Sequence, residues 1–479
     1  MAESATKRVA KNISWLTAGN LASGLANFLA VIYVARVLGA ADFGQLQFAM
    51  AFLSYLALLV DSGLSMFGMR EIARSRQRAG SISLNLFLLR FAIALFVYLA
   101  AAAALFVVPL PAALRWLFLT VFLLLFNRAL NADWVFQGLE RMEFIGLAKF
   151  TAAAGSLVLI FLLVRSPADL LRVPLVQAVS GILVSAMVVG LLFQRLARSA
   201  LSELSVSEWP RYLIAALPLG ASLIMIQIYN NLDTIMLGFM SSREVVGYYN
   251  AAYQVFYVFV GLFYIWLSVA MPVMNRRFKD DLAGAERFIT KYARLTALGF
   301  VPLIVLTFIT AGPLIRLVFG AAYAPASAAL AILIWNLFSV VFGSIFGALI
   351  LIPAGRFNRY FYAVLAGAAV NFVFNFILIP PFSFYGAALA TLLAEGTAAS
   401  LLLFYAREVI TLSVIGGVLR ALALSLAGAL ACLLVFYLGG ALPAFARLLA
   451  GAAAFAAVYC AAVLALERRF IFGFVREIL

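Results

Sequence analysis

Long apolar runs dominate the chain, and the polar residues between them fall in short clusters rather than at the spacing of an amphipathic helix or strand. A helix of about 20 apolar residues crosses the hydrocarbon core of a bilayer, and read at that length the chain divides into about fourteen spans. Six form a first block: Ser14–Ala35, Phe48–Phe67, Leu84–Val108, Leu114–Phe136, Ile145–Val164 and Leu171–Phe193. A polar segment, Gln194–Pro210, separates them from six more: Tyr212–Phe239, Tyr248–Met271, Tyr292–Ala311, Ala326–Ile352, Phe361–Ile379 and Phe384–Tyr405. A last pair, Val418–Tyr437 and Phe445–Leu466, precedes a short basic tail. The predicted fold class is an all-α polytopic membrane protein. It has two pseudo-symmetric six-helix lobes over 1–193 and 211–406, a linker over 194–210, and a helix pair with tail over 407–479.

The two blocks repeat in detail. Val34-Ala-Arg-Val-Leu-Gly-Ala-Ala-Asp-Phe-Gly44 closes one apolar helix, turns at Gly39 and opens the next. A looser copy follows in the second block, Asp233-Thr-Ile-Met-Leu-Gly238 and then Gly247-Tyr-Tyr-Asn-Ala-Ala-Tyr253. Gln137-Gly-Leu-Glu-Arg141 likewise has a counterpart in Ala354-Gly-Arg-Phe-Asn-Arg359. Each block starts on the same side, so the repeats are parallel and are expected to share an axis along the membrane normal.

Composition and charge sharpen this picture. Hydrophobic residues make up 66% of the 479 and charged residues 11%, far from the mixture of a soluble domain. A net charge of +15 would suit a nucleic-acid partner, but the charges are scattered through short loops, so nucleic acid is excluded. With the first residues inside, 25 of the 34 Lys and Arg fall in cytoplasmic segments and only 7 in the opposite loops. Lys7, Arg8 and Lys11 precede a full-length span with no clear cleavage site, which reads as a retained signal-anchor. The cysteines, Cys432 and Cys460, sit in different late spans and form neither a disulfide framework nor a zinc motif. Histidine is absent, so proton chemistry would fall to carboxylates. No glycine-rich phosphate loop, metal-binding acid cluster or sizeable extramembrane segment is present, which argues against an enzyme and implies no cofactor.

Ionisable residues within spans are costly and mark function by default. In the first block these are Asp61, Arg90, Arg128 and Asp133, two acids and two bases in or near the inner half of the bilayer. They read either as a site for an anionic head group or as ion pairs that lock four helices. Asn127, Asn131 and Trp134 lie close to Arg128. Arginine binds phosphate bidentately, amides bind sugar hydroxyls and an aromatic ring stacks on a sugar face, so this group suits a phospho-glycan. Asp233, which follows Gln227, Asn230 and Asn231, and Glu395 in the second block read as coupling-ion sites with Asp61 and Asp133, or as helix-bridging hydrogen bonds. Asn20 and Asn27 are seven residues apart and share one face of the first helix. Gln177, Gln254, Asn336, Asn371 and Asn375 line a cavity or join helices. The tail Glu467–Leu479 reads as an interfacial helix or a topology anchor.

Several motifs, in order along nearly the whole chain, resemble the polysaccharide (O-antigen type) flippases of the multidrug/oligosaccharidyl-lipid/polysaccharide exporter superfamily. They are the Val34–Gly44 stretch, Asp61-Ser-Gly-Leu, Arg70-Glu-Ile-Ala-Arg74, Asp233–Gly238 with Gly247–Tyr253, Phe319-Gly-Ala-Ala-Tyr323 and Tyr385-Gly-Ala-Ala-Leu-Ala390. The resemblance implies two six-helix lobes in a V around a central cavity that opens alternately to either side. It implies transport of undecaprenyl-diphosphate-linked oligosaccharide across the bacterial inner membrane, with the lipid tail left in the bilayer. Lipid II flippases and twelve-span drug antiporters are the neighbouring alternatives. The lipid II branch carries arginines within its first helix, whereas Ser14–Ala35 has none.

The sequence thus points to a non-enzymatic flippase for surface polysaccharide, in contact with membrane lipids, with H+ or Na+ as candidate coupling ion. Polysaccharide-assembly membrane proteins are candidate partners. A cation-coupled multidrug antiporter and a membrane glycan polymerase are the readings it displaces. Substrate candidates are Arg128, Arg90, Asn131, Asn127, Trp134, Asn20, Asn27 and Arg36, the last shallow at the outer end of its helix. The charge asymmetry predicts both chain ends in the cytoplasm: a C-terminal green fluorescent protein should fluoresce and a C-terminal alkaline phosphatase should be inactive. The opposite pattern would overturn the topology.

Overall fold

The computed structural model describes residues 2–200 and 204–478, with side chains at Trp15, 17–194, 204–218, Gly220 and 231–474. Among the described residues every regular element is helical. The first seven helices are α1 (Ala2–Asp61), α2 (Leu64–Arg74), α3 (Ala79–Val107), α4 (Ala112–Phe122), α5 (Leu124–Leu130), α6 (Asp133–Gly138) and α7 (Met142–Leu163). Then come α8 (Arg172–Ala200), α9 (Trp209–Met240), α10 (Arg243–Asp280) and α11 (Leu282–Phe319). The last four are α12 (Ala326–Phe346), α13 (Phe357–Arg407), α14 (Ile415–Leu438) and α15 (Ala444–Ile478).

Eleven stretches among the described residues are long and apolar enough to cross a membrane, and the chain is a multi-pass membrane protein. Two are far too long for one crossing: Thr17–Arg74 has 58 residues and Phe357–Arg407 has 51. At about 1.5 Å per residue the shorter would measure roughly 75 Å, against a core of about 30 Å. Both are broken where the sequence predicts a turn. In α1 the break is Gly39, at φ 75° and ψ 173°, a conformation that a Cβ disfavours. In α13 Pro380 and Pro381 precede Ser383 at φ 55°. The chain there doubles back so tightly that a Cβ on Gly386 would lie 2.0 Å from the Leu378 carbonyl oxygen.

Other boundaries moved. The charged loop expected around Asn275–Lys291 is helix on both sides of Asp281, whose carboxylate accepts from the Gly284 amide at 2.8 Å. An N-cap of this kind starts a new helix without a long connection. The span expected over Leu114–Phe136 is three pieces, α4, α5 and α6. The tail expected after Leu466 continues α15.

Contacts group the chain into two compact units, one running to Gly238 together with Ser242–Gly247, the other comprising Phe239–Ser241 with Tyr248–Leu479. In the first unit the second arm of α1 lies antiparallel to α9 along a seam of close approaches. A Cβ on Gly63 would sit 2.4 Å from the Ala216 carbonyl, and one on Gly220 2.5 Å from the Ser62 carbonyl. At the far end Gly238 lies under the Phe48 ring, a Cβ on Gly44 would sit 1.9 Å from the Arg243 carbonyl, and one on Gly247 2.1 Å from that of Ala40. The repeated glycine motifs of the sequence therefore meet each other. Removing side chains lets backbones touch, which replaces the hydrophobic drive that lipid does not supply. Beside this seam Leu64, Ile72, Leu86, Phe87, Trp134 and Ala216 form a buried core. The polar segment before α9 docks on α3, where Asn85 Oδ1 accepts from the Ser205 amide at 3.0 Å.

The second unit packs α11 against α12, α14 and α15. Trp266 stacks on Tyr292 at 5.2 Å and donates to Thr296 Oγ1 at 2.8 Å. The two units repeat one helix ending. Glu140 (φ 59°) and Gly355 (φ 70°) are both left-handed C′ residues. Arg141 N donates to Phe136 O and Arg356 N to Leu351 O, each at 2.8 Å, the six-residue closure of a Schellman cap. The repeat read from Gln137–Arg141 and Ala354–Arg359 thus has the same backbone form in both places.

Glu467 fastens α15 to its neighbours. Its carboxylate, 1% exposed, accepts from Arg294 on α11 at 2.5 Å and from Arg420 on α14 at 3.0 Å. Arg294 also lies 4.2 Å over the Phe470 ring. Glu467 is the buried member of the cluster and its arginines are 32% and 55% exposed, so removing it forfeits two charge-assisted hydrogen bonds rather than stranding buried cations. Glu467→Ala is expected to lower the thermal midpoint of the detergent-purified protein by several degrees. An unchanged midpoint would mean the cluster does not hold α15.

Candidate functional site

The break between α5 and α6 builds the site. Arg90, on α3 and 3% exposed, donates from Nη1 to the Asn131 carbonyl at 3.2 Å and from Nη2 to the Arg128 carbonyl. Those carbonyls end α5, where the helix dipole favours a cation. Asp61 Oδ1 lies 3.5 Å from Arg90 Nη2 and accepts from Ser65 Oγ at 2.5 Å. On the other side of the break Asn131 Oδ1 accepts from the Asp133 amide at 3.1 Å, an Asx-type turn that leads into α6. A buried guanidinium and one amide side chain thus take over the hydrogen bonds of a missing helical turn.

The consequence is a change of facing. On a continuous helix of 3.6 residues per turn, residues 128 and 133 would point about 140° apart. With the helix interrupted, Arg128, Asn131 and Asp133 all line one cavity of about 380 Å³. Asn127, Lys149, Gln177 and Ser185 add polar groups to its wall, and Phe136 and Phe144 add two stacked rings 5.1 Å apart at 23°. Among the described residues the exposed Arg128 guanidinium has neither a hydrogen-bond acceptor nor a carboxylate partner. Asn127 donates from Nδ2 to the Gln177 carbonyl at 3.1 Å, while its buried Oδ1 has no partner among the described residues. Buried acceptors are rarely left so. A free guanidinium, polar wall groups and an aromatic wall can hold an anionic group joined to a polyol.

The other residues singled out from the sequence lie elsewhere. Arg90 and Asp61 stand behind the cavity wall rather than in it. Trp134 is 2% exposed and packs in the core on Phe87 at 5.4 Å, in the space that Gly68 leaves. Asn20 and Asn27 are exposed on α1, and Asn20 accepts from Lys149 at 3.2 Å. Arg36 is exposed next to the Gly39 turn. Asp233 is buried in the first unit within electrostatic reach of Tyr55. Glu395, in the second unit, is half-buried within reach of Tyr264 and Tyr360. The side chains of Gln227 and Asn230 lie outside the described residues. Asn371 and Asn375 are buried and bond each other at 3.1 Å, a helix-internal pair.

Lys149, Phe136 and Phe144 are cavity residues that sequence reasoning missed. In sequence Lys149 is one of the cytoplasmic charges that fix topology, because it follows Arg141 by two helical turns. Its place on α7 gave one signal: Ile145, Ala148, Lys149 and Ala152 share a face, and all four line the cavity.

A cavity walled by helices α1, α5–α8 in an all-helical multi-pass protein is the architecture of a transporter. The chain superposes on the inward closed conformation of the lipid II flippase MurJ with a TM-score of 0.77 at 16% identity, covering 96% of this chain and all of that one. It superposes on an inward-facing multidrug resistance MATE family transporter of the MOP superfamily with a TM-score of 0.64 at 14% identity, over 81% and 94% of the two chains. The fold is that of the MOP transporters. Residues 9–278 match the model of the polysaccharide biosynthesis protein family, more than half of the chain, and the chain belongs to that family. Two curated relatives carry the name "Putative O-antigen transporter". The one from Shigella dysenteriae is 24% identical over 80% of this chain and 96% of its own length, and the one from Escherichia coli K12 is 23% identical over 83% and 96%.

Arg90 is positioned to set the geometry of Arg128 without touching the cavity. Arg90→Met leaves two carbonyls and the Asp61 carboxylate without their partner, a loss of about 3 kcal/mol. The expected result is a lowered unfolding midpoint that Asp61→Asn partly restores in the double variant. Simple additivity of the two substitutions would mean that they do not act as one unit.

Proposed function

We propose that this protein is a flippase that carries an undecaprenyl-diphosphate-linked oligosaccharide across the bacterial inner membrane by alternating access, for surface polysaccharide synthesis. The observation that carries the reading is Arg128: an exposed guanidinium in an intramembrane cavity, with no partner among the described residues. Holding a charge there is costly without a counter-ion, so the site favours an anionic cargo. Arginine takes phosphate oxygens bidentately. The polar wall of Asn131, Gln177 and Ser185 and the Phe136–Phe144 rings suit the first sugar. The lipid tail stays in the bilayer while two six-helix lobes exchange the side to which the cavity opens. The names of the two relatives and the family membership support this cargo class.

In the same reading both chain ends face the cytoplasm, and H+ or Na+ coupling falls to the carboxylates Asp61, Asp133, Asp233 and Glu395. Asn20 and Asn27 on α1 serve as further cavity contacts and Arg36 as an outer one, and polysaccharide-assembly membrane proteins receive the product.

Arg128→Ala is expected to reduce glycan export at least tenfold, with membrane insertion and protein level unchanged. Export is read as surface polysaccharide in cells whose own gene is deleted. Normal export at matched protein level would overturn the role of Arg128, and new glycosidic bonds formed by the purified protein in proteoliposomes would overturn the flippase reading.

A further inference from the structure

The cavity holds a second cation that is not free. Lys149 Nζ lies 3.4 Å from Asp133 Oδ2 and 3.2 Å from Asn20 Oδ1. The two side chains of the ion pair are 39% and 22% exposed, so solvent or a ligand in the cavity reaches both. Pairs with this much exposure are weak and readily exchanged. Arg128, in the same wall, has no such partner among the described residues. Arg90 is committed to the α5 carbonyls and to Asp61, so it supplies no charge to a ligand.

This arrangement discriminates between anions by their number of charged groups. A ligand with one anionic group is satisfied at Arg128 and gains little from Lys149, which keeps Asp133. A ligand with two adjacent anionic groups can bond Arg128 with one and compete with Asp133 for Lys149 with the other. Resting on the reading of the cavity as a phosphate site, we propose that Lys149 is a second anion-binding residue and Asp133 its displaceable internal counter-ion. The cavity then selects a diphosphate over a monophosphate. The carboxylate also limits affinity: when it returns to Lys149 it expels one end of the ligand, which a carrier needs in order to release.

The test uses the full-length protein in detergent, titrated calorimetrically with inorganic pyrophosphate and with orthophosphate. Wild type should prefer pyrophosphate by about tenfold, the scale of one added charge-assisted contact. Lys149→Gln should abolish the preference and Lys149→Arg should retain it, which a purely structural role would not produce. Asp133→Asn should tighten pyrophosphate binding severalfold, and the gain should vanish in the Lys149→Gln background. A gain that persists without Lys149 would mean that Asp133 acts only through general charge. That result would overturn the proposal, as would an intact preference in Lys149→Gln or no pyrophosphate binding by wild type. Loss of export in Arg128→Ala together with an intact preference in Lys149→Gln would sink this inference and leave the flippase reading standing.

Discussion

The geometry of the first unit hangs on one buried guanidinium. Arg90 sits where neither water nor lipid headgroup reaches it, 3% exposed. A charge there is tolerated only if acceptors and a counter-charge are near, and here Nη1 and Nη2 are bonded while Nε has no partner among the described residues. Asp61 provides the counter-charge, and the carbonyls of Arg128 and Asn131 provide the acceptors. Those carbonyls are available because the helix stops there. The arginine and the break thus require each other: restoring the helix would strand the arginine, and removing the arginine would strand the helix end. What the protein obtains is a wall in which the polar positions 128, 131 and 133 open onto one cavity.

A second constraint comes from the glycine seam between α1 and α9. Backbones meet at Gly63 with Gly220 and at Gly44 with Gly247, and the intervening helices have no freedom to shift by even one methyl group at those points. Contacts of this kind are sharp, since a gap of about 0.5–1 Å already forfeits roughly a quarter to a half of the attraction. They draw α9 and the first turn of α10 into the unit that holds the cavity, although both follow the polar segment 194–210 in the chain. The cavity is therefore carried on a body with a rigid edge, which suits a site that must keep its shape while a transporter changes state.

Much of the architecture was legible because bilayer physics leaves few options. Twenty-residue apolar runs had to be helices, and turns had to fall at Gly39 and at Pro380–Ser383, where side-chain and proline sterics forbid continuation. The Gln137–Arg141 and Ala354–Arg359 repeats turned out to share one capping geometry. The site was legible only in part. Arg128, Asn127, Asn131 and Asp133 were found as polar residues in an apolar span, and they do line the cavity. Trp134 was grouped with them by sequence distance alone, yet it turns into the core because Gly68 makes room for it on the opposite side. Lys149 escapes notice in sequence because a lysine near a span end is normally a topology signal, and one that has climbed two turns into the helix looks no different.

By itself the sequence determined that this chain crosses a membrane many times as helices, and that several of its intramembrane charges lie close together near residues 61–133. Those properties depend on transfer free energies and on local backbone sterics, which each residue brings with it. Only the tertiary structure decided which of those charges is free and which is spent. Arg90 and Arg128 are alike in sequence context, but one is consumed by a helix end and an aspartate, whereas the other faces the cavity alone among the described residues. That difference arises from where a helix breaks and which neighbour fills the break. No periodicity within a single span encodes it, because the arginine that requires the break lies on another helix.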